Sequence, residues 1–114
     1  MNALFAYGTL IDLDFFRAVT GADCDRVSAR LAGYARYPVR GADYPGIRPA
    51  AGCAVDGVVY LGVTEMAWQR LDAYEGDEYE RVRVRVTMQA DDKVCEVYAY
   101  VFKAEYVDRL ERDR

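Results

Sequence analysis

The sequence predicts an α+β domain: a small, mixed, partly closed β-barrel with two or three flanking helices, one domain spanning residues 1–114. Three observations carry that expectation. Strand-length apolar stretches outnumber helical ones and come in runs separated by single helices. Residues 94–102 are apolar on both sides, with Tyr98, Tyr100 and Phe102 opposite Val97, Ala99 and Val101, as a barrel wall or covered sheet requires. A chain of 114 residues with 53% hydrophobic and 30% charged residues has material for one core and is too apolar to stay disordered.

Residues 2–7 are short, apolar and aromatic and read as a buried first strand, after which Gly8 lets the backbone turn sharply. Asp12 caps a helix expected over residues 12–20, where Leu13, Phe15, Phe16 and Val19 share a broad face and Gly21 stands as the stop. Residues 27–39 read as a strand that runs out into a loop past Tyr37, because Pro38 cannot donate to a ladder. Residues 40–51 read as an ordered loop, with Pro45-Gly46 in the two central positions that a type II turn prefers.

Residues 53–63 are apolar and β-branched, a strand buried on both faces in which Gly57 and Gly62 mark bulges or close approaches. Thr64 caps a second helix with Glu65 at its positive end; Ala67, Leu71 and Tyr74 mark one face, and Gly76 stands just past its end. Residues 79–88 alternate, with Val82, Val84 and Val86 on one face and Arg81, Arg83 and Arg85 on the other, the arginines reading as a solvated side. Asp91-Asp92 marks a hairpin turn, and the charged tail from Lys103 a last short helix.

A net charge of −4 and a pI near 4.8 argue against nucleic acid or an anionic membrane as partner, since either needs a basic face. No stretch reaches the apolar length of a membrane span, and the N-terminal residues lack the pattern of a signal peptide. A soluble cytoplasmic protein, monomeric or weakly homodimeric, is the expectation. Cys24, Cys53 and Cys95 are odd in number and never in a C-x-x-C pair, so neither a disulfide framework nor a zinc cluster is signalled. The absence of histidine removes the Ser-His-Asp and Cys-His mechanisms and the commonest metal ligand, leaving acid-base chemistry to a carboxylate, Tyr, Lys or Cys.

Two stretches carry candidate chemistry. In Ala6-Tyr7-Gly8-Thr9-Leu10 a strand turns into a helix start, so the amides of Gly8, Thr9, Leu10 and Ile11 are expected to converge where unpaired N–H groups and the macrodipole favour a carboxylate or phosphate. A plain strand-turn-helix corner accounts for the same residues. In Leu71-Asp72-Ala73-Tyr74-Glu75-Gly76-Asp77-Glu78-Tyr79, Glu75 sits at the negative end of its helix beside Asp72, Asp77 and Glu78. Dipole and like charges act to raise its pKa, and burial beside Tyr74 and Tyr79 raises it further. A carboxyl group tuned toward neutrality suits general acid-base work; a solvated, glycine-capped acidic helix end is the other reading.

Together these stretches resemble the gamma-glutamylcyclotransferase-like family, particularly its short branch related to the avirulence-induced-gene proteins of plants. The resemblance covers nearly the whole chain. It rests on Tyr7-Gly8-Thr9-Leu10, Leu31-x-Gly33-Tyr34, Val39-x-Gly41 leading to Tyr44-Pro45-Gly46-Ile47, Val55-x-Gly57, and Leu71-Asp72-x-Tyr74-Glu75-Gly76-Asp77-Glu78-Tyr79-x-Arg81. It implies the family's small mixed barrel, in agreement with the pattern of elements.

The resemblance also implies an enzyme, a lyase formerly classed as an acyltransferase, that turns a gamma-glutamyl amine or peptide into 5-oxoproline and a free amine by intramolecular cyclisation. Tyr7, Gly8, Thr9, Leu10, Ile11 and Asp12 match the substrate-binding loop, whose backbone amides hold the substrate's α-carboxylate. Glu75 matches the catalytic glutamate, base and then acid. Tyr79 is a further candidate for hydrogen bonding to the substrate, with structural packing as its alternative, and Tyr37 and Tyr44 either line the pocket or only pack. The implied partner is a small gamma-glutamyl molecule, with no metal or cofactor. The competing class is a non-catalytic binding module for a small carboxylate or a gamma-glutamyl or acyl ligand.

Overall fold

The computed structural model describes residues 2–42 and 44–110. Five strands, β1 (Leu4–Ala6), β2 (Arg26–Pro38), β3 (Pro45–Tyr60), β4 (Tyr79–Met88) and β5 (Val94–Phe102), close into a barrel in the order β1-β3-β2-β4-β5. The sheet is mixed, because β1 runs parallel to β5 while the other pairs are antiparallel, and the five strands close on themselves. Helices α1 (Leu13–Thr20) and α2 (Glu65–Glu75) pack outside, with single 3-10 segments at Thr9–Ile11 and Ala104–Arg109. Among the described residues no helix is long and apolar enough to cross a membrane.

The strand period of two sorts the core into two clusters. Phe5, Leu31, Val59, Val86 and Val97 are among the residues that point into the barrel. Their neighbours one position away, such as Leu4, Tyr60 and Phe102, point outward and are covered by Phe16, Trp68 and Leu71 of the helices. Phe16 stacks on Tyr60 with ring centroids 3.8 Å apart. Where β1 meets β3, a Cβ on Gly57 would lie 2.2 Å from the Ala6 carbonyl oxygen, so this glycine marks a close approach.

Local end signals act as their chemistry dictates. The Asp12 carboxylate accepts from the Phe15 N–H at 3.1 Å, and Thr64 Oγ1 accepts from the Ala67 N–H at 3.2 Å. Gly21 and Gly76 close the two helices with φ of 68° and 76°. Ala67 and Leu71 are buried as expected, whereas Tyr74 remains exposed. The hairpin turn falls at Asp91-Asp92, where Asp92 has φ 58° and the Lys93 N–H donates to the Asp91 carboxylate. The three cysteines are free thiols.

Residues 40–51 depart from expectation, since most of them are strand rather than loop. Past Val39 the chain turns, the Ala42 N–H donating to the Val39 carbonyl and the Val39 N–H to that of Tyr44, and β3 already begins at Pro45, paired with Pro38, while Gly46 pairs with Tyr37. Prolines facing each other on the last rung need no donors from a continuing ladder. Gly46 serves close packing instead of a turn: a Cβ there would sit 3.0 Å from the Phe102 side chain. The arm bends where the β2–β3 register slips between Ala32 and Tyr34, with Gly33 and Gly52 at φ 82° and 83°. β3 is also less enclosed than expected. Cys53, Ala54 and Asp56 are exposed, and the strand stops at Tyr60, leaving Gly62 in the turn to α2.

Candidate functional site

An open-mouthed cavity of about 130 Å³ lies where the corner after β1, the start of β3 and the last turn of α2 come together. The corner supplies Tyr7, Gly8, Thr9 and Leu10, and α2 supplies Tyr74 and Glu75. Tyr79 of β4, Tyr100 of β5 and the Tyr44-Pro45 pair complete the wall. Tyr37 is not part of the lining.

Ile11 and Asp12 fall outside the cavity lining, unlike the four residues before them. The reason is a 3-10 turn inserted ahead of α1, which tightens the chain: the Ile11 N–H donates to the Gly8 carbonyl at 3.0 Å and the Asp12 N–H to Thr9 at 3.2 Å. Asp12 turns its carboxylate to α1 instead. Three amides, those of Gly8, Thr9 and Leu10, remain without a backbone acceptor among the described residues. A single 3-10 turn has little macrodipole, so any pull on an anion here comes from the N–H groups themselves. A Cβ on Gly8 would press on the Pro45 ring at 3.0 Å, so the missing side chain lets the start of β3 close against the corner.

Tyrosine hydroxyls fasten the elements around this cavity. Tyr60 donates to the Leu10 carbonyl at 2.7 Å and pins the 3-10 turn. Tyr7 donates to the Tyr100 carbonyl at 2.6 Å, and Tyr79 to the Pro45 carbonyl at 2.9 Å. Tyr100 donates to Asp72 Oδ1 at 2.6 Å, tying α2 to β5. Burial pushes the pKa of each of these phenols up, so they stay neutral donors. The Tyr79 proton is therefore committed to the protein's own backbone. Tyr100 is a polar lining residue that the motifs did not single out; its signal was the outward row Tyr98, Tyr100, Phe102, and it becomes meaningful once β5 lies beside β1.

Glu75 is partly buried at the edge of this ring of aromatic side chains. Burial raises its carboxyl pKa from the ordinary 4.5 to about 7. The direction agrees with expectation, and of the causes inferred from the motif, dipole, like charges and burial, it is burial that acts. Arg81 faces Asp72 at 3.6 Å, and Arg109 pairs with Glu78, so two of the three neighbouring acids have a cation beside them. Arg81 also lies over the Trp68 ring at 4.6 Å, so this arginine is more than a solvated strand residue. Among the described residues no donor is hydrogen-bonded to the Glu75 carboxyl. What remains is desolvation by the rings, which disfavours the charged form.

Comparisons with known proteins place the chain in a family. The family model described as "Gamma-glutamyl cyclotransferase, AIG2-like" matches residues 4–114. The chain is 34% identical over 102 residues to AIG2-like protein A of Arabidopsis thaliana, covering 90% of this chain and 62% of that protein. It thus spans about three fifths of the length of the curated relatives it matches. A solution structure of an Arabidopsis thaliana protein superimposes with a TM-score of 0.85 at 32% identity, covering 99% of this chain and 76% of the other. A solved gamma-glutamyl cyclotransferase, at 19% identity, shares the fold with a TM-score of 0.82, covering 96% of this chain and 68% of that one. Its match over residues 4–114, on a closed barrel with flanking helices, means that the chain belongs to the gamma-glutamyl cyclotransferase, AIG2-like family.

Proposed function

We propose that this domain catalyses cyclisation of a gamma-glutamyl amine or peptide to 5-oxoproline, with Glu75 as general base and then general acid. The observation that carries the reading is that one cavity holds both a carboxyl group raised to about 7 and a loop with three free amides. The amides of Gly8, Thr9 and Leu10 hold the substrate's α-carboxylate, and Tyr7 with Tyr100 forms the inner wall.

Ionised Glu75 takes a proton from the substrate's α-ammonium group, which frees the lone pair to attack the side-chain amide carbon. The new N–C bond closes the five-membered lactam, and the bond from that carbon to the departing nitrogen breaks. The α-nitrogen starts with three protons and keeps one; the two it loses end on the released amine, one returned by Glu75 and one exchanged through solvent at the mouth. A pKa near 7 leaves Glu75 able to accept and to return a proton at neutral pH. Attack is intramolecular, so holding the substrate bent supplies much of the acceleration.

The test is release of 5-oxoproline from a panel of gamma-glutamyl amines and peptides, run alongside calorimetric binding of the same compounds. Release with an ascending pH limb near 7 is expected. Binding with no release from any compound assigns the cavity to a non-catalytic carboxylate-binding module instead.

A further inference from the structure

Resting on the cyclisation reading, we propose that the group released is an aromatic amine lacking a carboxylate, received by an aromatic collar at the cavity mouth. Phe15, Tyr44 and Tyr74 are 37%, 38% and 41% exposed, and they come from three separate segments: α1, the turn before β3 and α2. They nevertheless meet at one opening. Tyr44 and Tyr74 line the cavity, and Phe15 packs edge-on against Tyr74 with centroids 5.6 Å apart. Tyr44 leans on Tyr79 at 6.2 Å. Rings left half in water around the entrance of a pocket offer edge and face contacts to a ring on the ligand.

Charge decides what that ring is attached to. No lysine or arginine lines the cavity among the described residues. Glu78 and Glu75 act on Tyr44, and the guanidinium on that side, Arg109, is paired with Glu78. A departing amino acid or dipeptide would bring its own carboxylate toward two carboxyl groups at a wall where, among the described residues, no lysine or arginine meets it. A simple amine leaves as a cation, which carboxylates and ring faces attract. The bond changes are those of the cyclisation above: the lactam N–C bond forms, the amide C–N bond to the arylalkylamine breaks, and no oxidant or co-reactant enters.

The experiment compares kcat/KM for the gamma-glutamyl amides of 2-phenylethylamine and ethylamine with those for gamma-glutamylphenylalanine and glutathione, read as 5-oxoproline. The phenylethylamide is expected to exceed each of the others by about tenfold or more, the scale on which a single pocket contact discriminates. In Tyr44→Leu/Tyr74→Leu the ratio of phenylethylamide to ethylamide is expected to fall toward one, and in Phe15→Ala, which lies outside the lining, part of the way. Thermal midpoints confirm that each variant is folded. Equal or better turnover of glutathione or gamma-glutamylphenylalanine overturns the aromatic-amine assignment while leaving cyclisation standing. A ring preference that survives in the double variant overturns the role of the collar, and release from none of the compounds overturns the cyclisation reading together with this one.

Discussion

Inside the barrel, Leu31, Val55, Val59, Val84 and Val97 pack on one another as plain hydrocarbon, whereas on the outside of the same sheet Tyr60, Tyr79 and Tyr100 each send a hydroxyl to a carbonyl or carboxylate. Residues one position apart on a strand thus do different work. The interior contributes non-directional burial, which stabilises the closed sheet without prescribing where a loop lies. The outer layer contributes burial and direction together, because a tyrosine ring packs while its hydroxyl selects one partner. Each of the hydroxyls named fixes an element of the cavity: the 3-10 turn, the start of β3 and the end of α2. Tyr7 joins the two regions, its ring in the interior cluster and its hydroxyl on Tyr100.

The largest expected effect is at the carboxylate that the outer layer shelters. Glu75→Gln is expected to lose about 100-fold to 10,000-fold in turnover, the usual contribution of general acid-base catalysis. Its stability should move the other way and depend on pH. The folded pKa lies above the ordinary 4.5, so the cost of the buried charge is absent below about pH 4.5 and fully present above about pH 7. That cost is on the order of 3 kcal/mol. Denaturant melts of parent and variant should therefore coincide near pH 4, with the variant more stable at pH 8; turnover that survives would remove Glu75 from the mechanism.

In the interior, Leu31→Ala should lower stability by about 2–5 kcal/mol through lost burial and a residual cavity. Leu31 is 1% exposed and lines no part of the site, so kcat/KM measured well below the thermal midpoint should match the parent. A folded Leu31→Ala protein with impaired turnover would break the division between the two regions. The smallest change in stability is expected for Tyr100→Phe, which keeps the ring and removes the hydroxyl that Asp72 accepts. About 1.5–3 kcal/mol is the scale for a hydrogen bond to a charged group. Because that bond anchors the helix carrying Glu75, activity should fall by more than the loss of stability accounts for, and a double-mutant cycle with Asp72→Asn measures the link.

Most of the helical architecture was legible in local chemistry. Asp12, Thr64, Gly21 and Gly76 act on backbone groups within a few residues, so their roles follow from neighbours in the chain. The alternation of β4 likewise announced one inward face, and the apolar run of β5 announced packing on both. Pro45-Gly46 misled because a pair that suits a turn also suits the last rung of a ladder packed tightly on Phe102, and Phe102 is remote in sequence. Ile11 was overcounted among the free amides because a 3-10 turn and an α-helix begin with the same residue types.

The sequence by itself determined the order of elements, the helix caps, the inward and outward faces of the strands, and the presence of a carboxylate at a glycine-capped helix end. Those properties depend on covalent neighbours and on periods of two and 3.6 residues. Only the tertiary structure decided that β1 lies between β3 and β5, which brings Tyr100 beside the corner at Gly8, and that Arg81 and Arg109 pair with Asp72 and Glu78 near Glu75. The raised pKa of Glu75 belongs to that second group. Desolvation depends on which rings surround a carboxyl group in space, and these rings come from segments as far apart in the chain as Tyr7 and Tyr100.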